Sequence, residues 1–150
     1  MKEINTDVLI VGSGLVGLVA AHSLSSLNYN VLIIDKKKPL NTKSTFKDTR
    51  TVAVSEGSKF FLESLLLWDS LDSYAEPIKK IKVFDRSSKN KILFNNQIIN
   101  KNLGYVIKNI KFSQILQKKL LNFKKTTSIY GEALNQIKVG EKKITAYSNK

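Results

Sequence analysis

The amino-acid sequence predicts an α/β protein with a parallel β-sheet, and two apolar runs joined by a helical segment carry that prediction. The run Asp7–Val11 is unbroken, as is typical of a strand that is buried on both faces. Helical periodicity follows from Leu15 to about Leu27, and the second run, Val31–Ile34, is closed by Asp35. Two such strands joined by one helix make a right-handed βαβ unit, in which the strands are parallel.

Two helices are expected in the first half of the chain. The first should bury one stripe of residues at helical spacing: Leu15, Val16, Val19, Ala20, Ser23, Leu24 and Leu27. Residues 36–47 are polar and contain a proline, so they predict a loop. The second helix should begin with Ser55 or Ser58 as its N-cap and end at about Leu71. Its apolar side would consist of Phe61, Leu62, Leu65, Leu66 and Trp68.

An antiparallel element is expected next. The segments Ile81–Phe84 and Lys91–Phe94 are apolar, and the polar residues 87–90 between them indicate a turn. This pattern predicts two antiparallel strands.

The remaining residues predict a return to helix and strand. A third helix after Gly104 would have Asn109 as its cap and an apolar stripe of Ile110, Ile115, Leu116, Leu120 and Leu121. Thr126–Tyr130 predicts a further strand. Residues 136–139 and 143–147 predict a hairpin about Gly140.

Composition narrows the class of protein. A chain of 150 residues with 42% hydrophobic residues is long enough for one domain with a core. The absence of cysteine excludes disulfides, thiol nucleophiles and thiolate zinc sites, and it suits a reducing cytoplasm. The apolar stretch 8–21 is shorter than the ~20 residues of a membrane-spanning helix. The single histidine, His22, lies on the first helix and is expected to be structural, so no hydrolase triad is indicated.

The net charge of +13 raises the question of nucleic-acid binding. Phosphate recognition usually recruits arginine for its bidentate fork, yet Arg50 and Arg86 are the only arginines in the sequence. The lysines are spread along the chain. We therefore expect solvated lysine faces and no nucleic-acid partner, with attraction to an anionic lipid or polyanion as the alternative.

The segment between the first strand and the first helix is rich in glycine. Residues 12–17 are Gly-Ser-Gly-Leu-Val-Gly, which matches the pattern G-x-G-x-x-G. Such a hexapeptide is a weak signal alone, but here it follows a buried strand, opens a helix and precedes an acid at the end of the next strand. In that context it predicts a Rossmann-like dinucleotide-binding turn.

Each part of the motif has a physical role in such a turn. Gly12 permits the tight turn, Gly14 lets a diphosphate approach the backbone, and Gly17 lets the helix pack close to the strand. Unpaired N–H groups and the helix dipole favour an anion here, so diphosphate contacts are expected from the backbone of Ser13, Leu15 and Val16.

Asp35 is expected to accept a hydrogen bond from a ribose 2′-hydroxyl, and its charge disfavours a 2′-phosphate. Lys36 beside it is included in the predicted cofactor site. The simpler alternatives are a solvated acid at a strand end and a glycine-rich turn that holds no ligand. The βαβ unit by itself does not distinguish FAD from NAD.

A larger part of the chain resembles a known family. The glycine motif, followed by Asp-Thr-Arg-Thr-Val-Ala-Val-Ser-Glu-Gly-Ser at residues 48–58, is similar to the glycine motif and the D-x-R-x-x-A-L-S-x-x-S segment of the FAD-dependent hydroxylases of ubiquinone biosynthesis. Residues 65–68, 77–78 and 103–109 resemble later stretches of that family. The segment around Arg50 is the most discriminating part.

The resemblance implies FAD as the cofactor and further contacts to it. Arg50 would lie by the pyrophosphate or ribityl chain of FAD, and Asn109, which opens the third helix, would contact FAD as well. Val54 replaces the usual leucine, and Lys108 stands where an acid is common. From the residues alone, Arg50 could instead bridge loops and Asn109 could be only a helix cap.

The resemblance also implies an activity and partners. NAD(P)H would reduce FAD, and the reduced flavin would use O₂ to hydroxylate an aromatic ring, here a polyprenylated phenol. Contact with the inner face of a membrane and a complex with other ubiquinone-biosynthesis proteins are further expectations, for a protein that is otherwise cytoplasmic. No metal is expected, and no catalytic residue can be named.

The expected organisation is an FAD-binding βαβ part over residues 1–73, the start of a substrate domain over 74–102, and a return to the FAD-binding domain over 103–150. Two later segments of the family, a D-G and a G-D pair, are not found, so the chain looks like the first third or so of a hydroxylase. Two other interpretations stay open: another FAD or NAD(P) oxidoreductase with the same front end, and a non-catalytic remnant.

Overall fold

The computed structural model describes residues 3–39, 48–85, 91–95 and 102–149. These residues fall into two compact units, one formed by Met1–Lys47 with Ser113–Lys150 and the other by Asp48–Phe112. The predicted loop at 36–47 lies largely outside the described residues, as does the predicted turn at 87–90. The predicted functional boundaries near residues 73 and 102 stay a prediction.

Ten strands and three α-helices follow one another along the described chain: β1 (Val8–Val11), α1 (Leu15–Ser26), β2 (Val31–Asp35), β3 (Thr51–Val54), α2 (Glu56–Ser64), β4 (Glu76–Pro77), β5 (Lys80–Phe84), β6 (Lys91–Asn95), β7 (Tyr105–Lys108), α3 (Asn109–Leu120), β8 (Thr126–Tyr130), β9 (Ala133–Val139) and β10 (Ile144–Asn149).

The first unit is built on a parallel sheet of three strands in the order β1-β2-β8. Val8 pairs with Val31 and Val11 with Ile34, and β2 pairs in turn with β8 in parallel register. The predicted α/β fold with a βαβ unit is therefore confirmed. Only the central strand β2 is buried, through Val31, Ile33 and Ile34. The expectation that the first strand is buried on both faces was wrong, since no residue of β1 is buried and Val11 is 57% exposed.

The buried face of α1 differs from the predicted stripe. The residues buried along α1 are Leu18, Ala21, His22 and Ser25, whereas Val16 is 85% exposed and Leu27 is also exposed. Their spacing of three, four and seven residues is helical, so the period was right and the phase was wrong. Small and apolar residues lie on every side of this helix, and periodicity alone therefore could not select the buried face.

Contacts between α1 and α3 close the core of the first unit. The Nε2 atom of His22 lies 2.8 Å from the Leu116 carbonyl oxygen, to which it donates a hydrogen bond, and its ring packs edge-on against Phe123. Leu116 and Leu120 are buried, but Leu121, which the predicted stripe included, is 84% exposed. His22 is thus a core residue, as expected.

The predicted hairpin about Gly140 is confirmed with longer strands. β9 and β10 pair antiparallel from Ile144 with Val139 to Asn149 with Ala133, with an irregularity after Tyr147. The pairing extends three residues beyond the predicted start of β9.

The second unit contains an antiparallel sheet in the order β3-β7-β4. Thr51 pairs with Lys108 and Val54 with Tyr105. Gly104 immediately before β7 has a φ of +148°, and a Cβ there would lie 2.6 Å from the Val54 carbonyl oxygen. This sheet was not predictable from the sequence, because each of its strands is only two to four residues long and pairs with a distant partner.

The helix α2 is shorter than predicted. Ser55 is its N-cap and accepts a hydrogen bond from the Ser58 amide, as expected, but the helix ends at Ser64 rather than near Leu71. Leu66 adopts a φ of +55°, and the Leu67 amide donates to the Leu62 carbonyl, which is the hydrogen bond of a Schellman end. Two short 3₁₀ turns follow.

Trp68 anchors the core of the second unit. It is buried, its ring packs edge-on against Tyr105 at 5.0 Å, and its Nε1 donates to Asp72. The Lys59 ammonium lies 5.4 Å from the Trp68 ring centroid and pairs with Glu63. Trp68 is therefore a core residue, as predicted.

The strands β5 and β6 form the predicted antiparallel pair. Ile81 is opposite Phe94 and Val83 opposite Ile92, so these four side chains share one face of the ribbon. All four are exposed by 40% or more.

Candidate functional site: a glycine turn at a helix N-terminus

The turn after β1 requires two of its glycines for the fold of the chain itself. Gly12 has a φ of +106°, which side-chain-bearing residues rarely adopt, and its amide donates to the Ile34 carbonyl at 2.8 Å. A Cβ added at Gly17 would collide with the Gly12 carbonyl oxygen. These two glycines thus hold β1 and α1 close together, as the motif predicts.

Gly14 is different because the fold of the chain does not require it. Its φ of −67° is open to any residue, and an added Cβ would have no atom within 4 Å among the described residues. Gly14 is the N-cap of α1, and the first helical bond runs from the Leu18 amide to its carbonyl. A residue without a side chain therefore leaves open space directly in front of a helix N-terminus.

The N-terminus of α1 can bind an anion. The amides of Leu15, Val16 and Gly17 have no acceptor within the helix, and no acidic residue stands in the first turn. No described side chain caps this end of the helix. The N–H groups and the helix dipole are thus directed at the space beside Gly14, where a phosphate would be stabilised.

Asp35 lies at the end of β2, beside the turn. Its Oδ2 accepts hydrogen bonds from the Ser13 amide and the Ser13 hydroxyl, both at 2.7 Å, and its Oδ1 accepts one from the Lys37 amide at 2.8 Å. The Asp35 carbonyl accepts from the Gly131 amide at 2.8 Å. Asp35 is therefore a fixed residue and not a freely solvated acid.

The charge of Asp35 follows from these contacts. Burial acts to raise the pKa of its carboxyl, but the hydrogen bonds from the Lys37 amide and from the amide and hydroxyl of Ser13 outweigh it and lower the pKa. The group is an anion and an acceptor at neutral pH. Lys36, also predicted to lie at the site, is exposed next to it.

Arg50 and Asn109 lie in the second unit, and the structure brings them together. The Asn109 amide donates to the Arg50 carbonyl at 3.0 Å, where the β3–β7 ladder ends. They are 59 positions apart in the sequence, so this proximity is created by the sheet that sequence reasoning missed.

The Arg50 guanidinium is held by Asp48. The Nε atom donates to Asp48 Oδ1 and an Nη atom donates to Oδ2, each at 2.9 Å. The side chain of Arg50 is nevertheless 76% exposed. The pair lowers the pKa of Asp48 mainly through these hydrogen bonds. Sequence reasoning missed the role of Asp48, although the D-x-R spacing places it two residues from Arg50.

Asn109 does not cap α3. The helix begins at Asn109 itself, and its Oδ1 atom is buried without a hydrogen-bond partner among the described residues. The prediction of a side-chain cap was therefore wrong. A buried amide oxygen without a donor is costly, and such an atom needs an explanation.

In the described parts of the chain, no cluster of three or more histidine, aspartate or glutamate side chains could hold a metal ion. None of the helices described is both long and apolar enough to cross a bilayer.

A Rossmann-like dinucleotide-binding fold is the class that this sheet, turn and acid define. Residues 10–72 match the family described as NAD(P)-binding Rossmann-like domain. The chain also matches the p-nitrophenol 4-monooxygenase PnpA of Pseudomonas putida with a TM-score of 0.77 at 14% identity, over 99% of this chain and 37% of that one. The flavin-dependent monooxygenase PieE, solved with FAD and substrate, gives 0.76 at 16% identity, over 99% and 27%.

Sequence comparison is more specific, and it confirms the predicted resemblance to ubiquinone-biosynthesis hydroxylases. The chain is 31% identical to the ubiquinone hydroxylase UbiL of Rhodospirillum rubrum, over 76% of this chain and 27% of that protein. It is 28% identical to the ubiquinone biosynthesis monooxygenase COQ6 of Danio rerio, over 76% and 25%. It is 25% identical to the 3-demethoxyubiquinol 3-hydroxylase of Escherichia coli, over 81% and 32%. The chain thus spans about a quarter to a third of these relatives.

Proposed function

We propose that this chain is the FAD-binding part of an FAD-dependent aromatic-ring monooxygenase that uses NAD(P)H and O₂. The substrate would be a polyprenylated phenol of ubiquinone biosynthesis. The observation that carries the proposal is the open space at Gly14 in front of the uncapped N-terminus of α1, with the Asp35 carboxylate beside it. The similarity to the hydroxylases supports FAD as the dinucleotide.

The residues of the first unit would bind the adenosine end of the cofactor. The Ser13 amide, from which a diphosphate contact was also predicted, already donates to Asp35. The amides of Leu15, Val16 and Gly17 would therefore donate to the diphosphate, and Asp35 would accept from the ribose. Val16, whose side chain is exposed in the first turn, would be covered by the bound nucleotide.

Arg50 and Asn109 are proposed as further contacts to FAD. Arg50 presents an exposed cation whose orientation is held by Asp48. The Oδ1 atom of Asn109 would gain a donor on binding, which would remove the cost of its burial. These roles rest on the resemblance together with the contacts of the two residues.

When bound, FAD would supply hydride acceptance from NAD(P)H and activation of O₂ for ring hydroxylation. The described residues bind and orient that cofactor. Contact with a membrane surface and a complex with other ubiquinone-biosynthesis proteins belong to the same proposal, because a polyprenylated substrate partitions into a bilayer.

A second candidate is an oxidoreductase of another class that binds NAD(P). The match of residues 10–72 to an NAD(P)-binding family favours it. The similarity to the hydroxylases extends over 76% of the chain, which is more than the nucleotide turn alone, and so favours the first candidate.

The test is to titrate the full chain with FAD and with NAD. Binding of FAD is measured by flavin fluorescence and by calorimetry, and binding of NAD by calorimetry. We expect FAD to bind and NAD to bind at least tenfold more weakly. Gly14→Ala should weaken FAD binding at least tenfold, because its methyl group enters the diphosphate space. Gly57→Ala is the matched control, since a Cβ at Gly57 meets its nearest atom, Ser55 Oγ, at an ordinary 3.9 Å. Tight NAD binding without FAD binding would contradict the proposal.

A further inference from the structure

The carboxylate of Asp35 has little hydrogen-bonding capacity left. An ionised carboxylate offers about four acceptor sites, two on each oxygen. Ser13 fills both sites on Oδ2 with its amide and its hydroxyl, and the Lys37 amide fills one on Oδ1. A single acceptor site therefore remains, and it lies on Oδ1.

We propose that Ser13 is a positioning residue for nucleotide recognition, because its hydroxyl fixes Asp35 so that Oδ1 is presented to one ribose hydroxyl. This inference rests on the proposed function, in which the turn binds the adenosine end of FAD. It assigns to the side chain of Ser13 a role separate from that of its backbone amide.

The Ser13 hydroxyl is a feature of this sequence and not of the glycine motif, because position 13 is an unspecified residue in G-x-G-x-x-G. Any residue other than proline at position 13 would supply the amide that binds Asp35. The second donor to Asp35 Oδ2 is the Ser13 hydroxyl. Ser13 therefore binds this one oxygen through both its amide and its hydroxyl, each at 2.7 Å. Charge-assisted hydrogen bonds of this length are among the stronger ones in proteins. With Lys37 on the other oxygen, rotation of the carboxylate is restricted from both sides.

A fixed and charged Asp35 also contributes to specificity. The hydroxyl of Ser13 is one of the groups that lower the pKa of Asp35, so its removal favours the protonated acid. A charged acceptor binds a ribose hydroxyl and repels a 2′-phosphate. Loss of the Ser13 hydroxyl should therefore weaken binding of the hydroxyl-bearing nucleotide and shift its pH dependence.

The experiment measures binding of ADP and of 2′,3′-dideoxy-ADP to the full chain by calorimetry. Ser13→Ala should weaken ADP binding about fivefold, the effect of one hydrogen bond, and should leave the affinity for the dideoxy probe unchanged. Ser13→Thr, which keeps the hydroxyl, should restore the affinity for ADP. Ser26→Ala is the matched control, since the Ser26 hydroxyl donates only to the Ser23 carbonyl on the same helix.

Two further readouts separate positioning from a structural role. In an Asp35→Asn background, Ser13→Ala should cause no additional loss of ADP affinity. In the otherwise native chain, Ser13→Ala should raise the pH at which half of the bound ADP is released on acidification. Equal weakening of both nucleotides, or no change with ADP, would overturn the role of Ser13 alone. If the unaltered chain bound neither ADP nor FAD, the proposed function would fail first, and this inference with it.

Discussion

The surroundings of Asp35 and of Asn109 differ in how their polar atoms are satisfied. The carboxylate of Asp35 accepts three hydrogen bonds within the first unit. The Oδ1 atom of Asn109 in the second unit accepts none among the described residues, although it is buried. The described residues thus satisfy most of the hydrogen-bonding capacity of Asp35 but supply no donor to Asn109 Oδ1, so a ligand that donates to this oxygen would remove the cost of its burial.

The glycine turn separates folding from binding, and the largest expected effect lies there. Gly17→Ala should destabilise the chain by about 3 kcal/mol or prevent folding, because the added methyl group meets the Gly12 backbone rather than a movable side chain. Gly14→Ala should change the free energy of unfolding by less than about 1 kcal/mol, since its Cβ enters open space. Urea unfolding of both variants measures the difference. Equal loss in both would show that Gly14 serves the fold rather than a ligand.

Isosteric substitutions at Asp35 and Asn109 should have opposite signs. Asp35→Asn weakens three hydrogen bonds to an anion, so the free energy of unfolding should fall by about 2 kcal/mol. Asn109→Leu removes a buried oxygen without a partner, so the free energy should rise by about 1 kcal/mol.

Both substitutions should nevertheless weaken FAD binding, which fluorescence titration measures beside the unfolding curves. A loss of stability in Asn109→Leu would mean that its amide supports the fold, and the contrast between the two regions would disappear.

The sequence predicted the first region well, because its signals are local. A strand, a glycine hexapeptide, a helix and an acid occur within residues 7–35, and each leaves a mark in the sequence. The phase of α1 was not predictable, since apolar residues surround that helix. The hydroxyl contact from Ser13 to Asp35 depends on side-chain placement, which a motif does not encode.

The second region could be predicted only through resemblance. Arg50 and Asn109 meet because β3 pairs with β7, and such pairing between distant short strands leaves no periodic signal. The motif of the family identified both residues, but their proximity and the unpartnered oxygen of Asn109 came from the structure. The end of α2 depends on a left-handed leucine, Leu66, which no turn rule would select.

The free energy of unfolding should depend on pH in two different ranges, one set by His22 on α1 and the other by Asp35 beside the glycine turn. Burial, the largest cause, lowers the pKa of His22, and the nearby Lys119 lowers it further against the opposing hydrogen bond to Leu116. The folded state therefore binds fewer protons than the unfolded state just below the ordinary histidine pKa of ~6.5, and stability should fall as pH decreases through that range.

Asp35 contributes to stability in a lower pH range. Its pKa is lowered in the folded state, so this contribution is lost as pH falls from the ordinary aspartate pKa of ~3.9 through the pKa of the folded state.

The contribution of His22 is tested by urea unfolding of His22→Gln between pH 7 and 5, where the free energy of unfolding should depend less on pH than in the unaltered chain. An unchanged slope would assign the sensitivity to another group.

The smallest expected effect on stability concerns Asp48, and it tests whether Arg50 is held for a ligand. Asp48→Asn removes the charge that orients the Arg50 guanidinium. The pair is exposed at Arg50, so the free energy of unfolding should change little. FAD affinity should fall about threefold, since a guanidinium that must be ordered on binding loses affinity through side-chain entropy. Arg50→Lys keeps the positive charge but loses the bidentate guanidinium, so it should lower FAD affinity at least threefold as well. If Asp48→Asn instead strengthened FAD binding, Asp48 would be a competitor for Arg50 rather than its support, and Arg50 would have to leave its carboxylate to reach the cofactor.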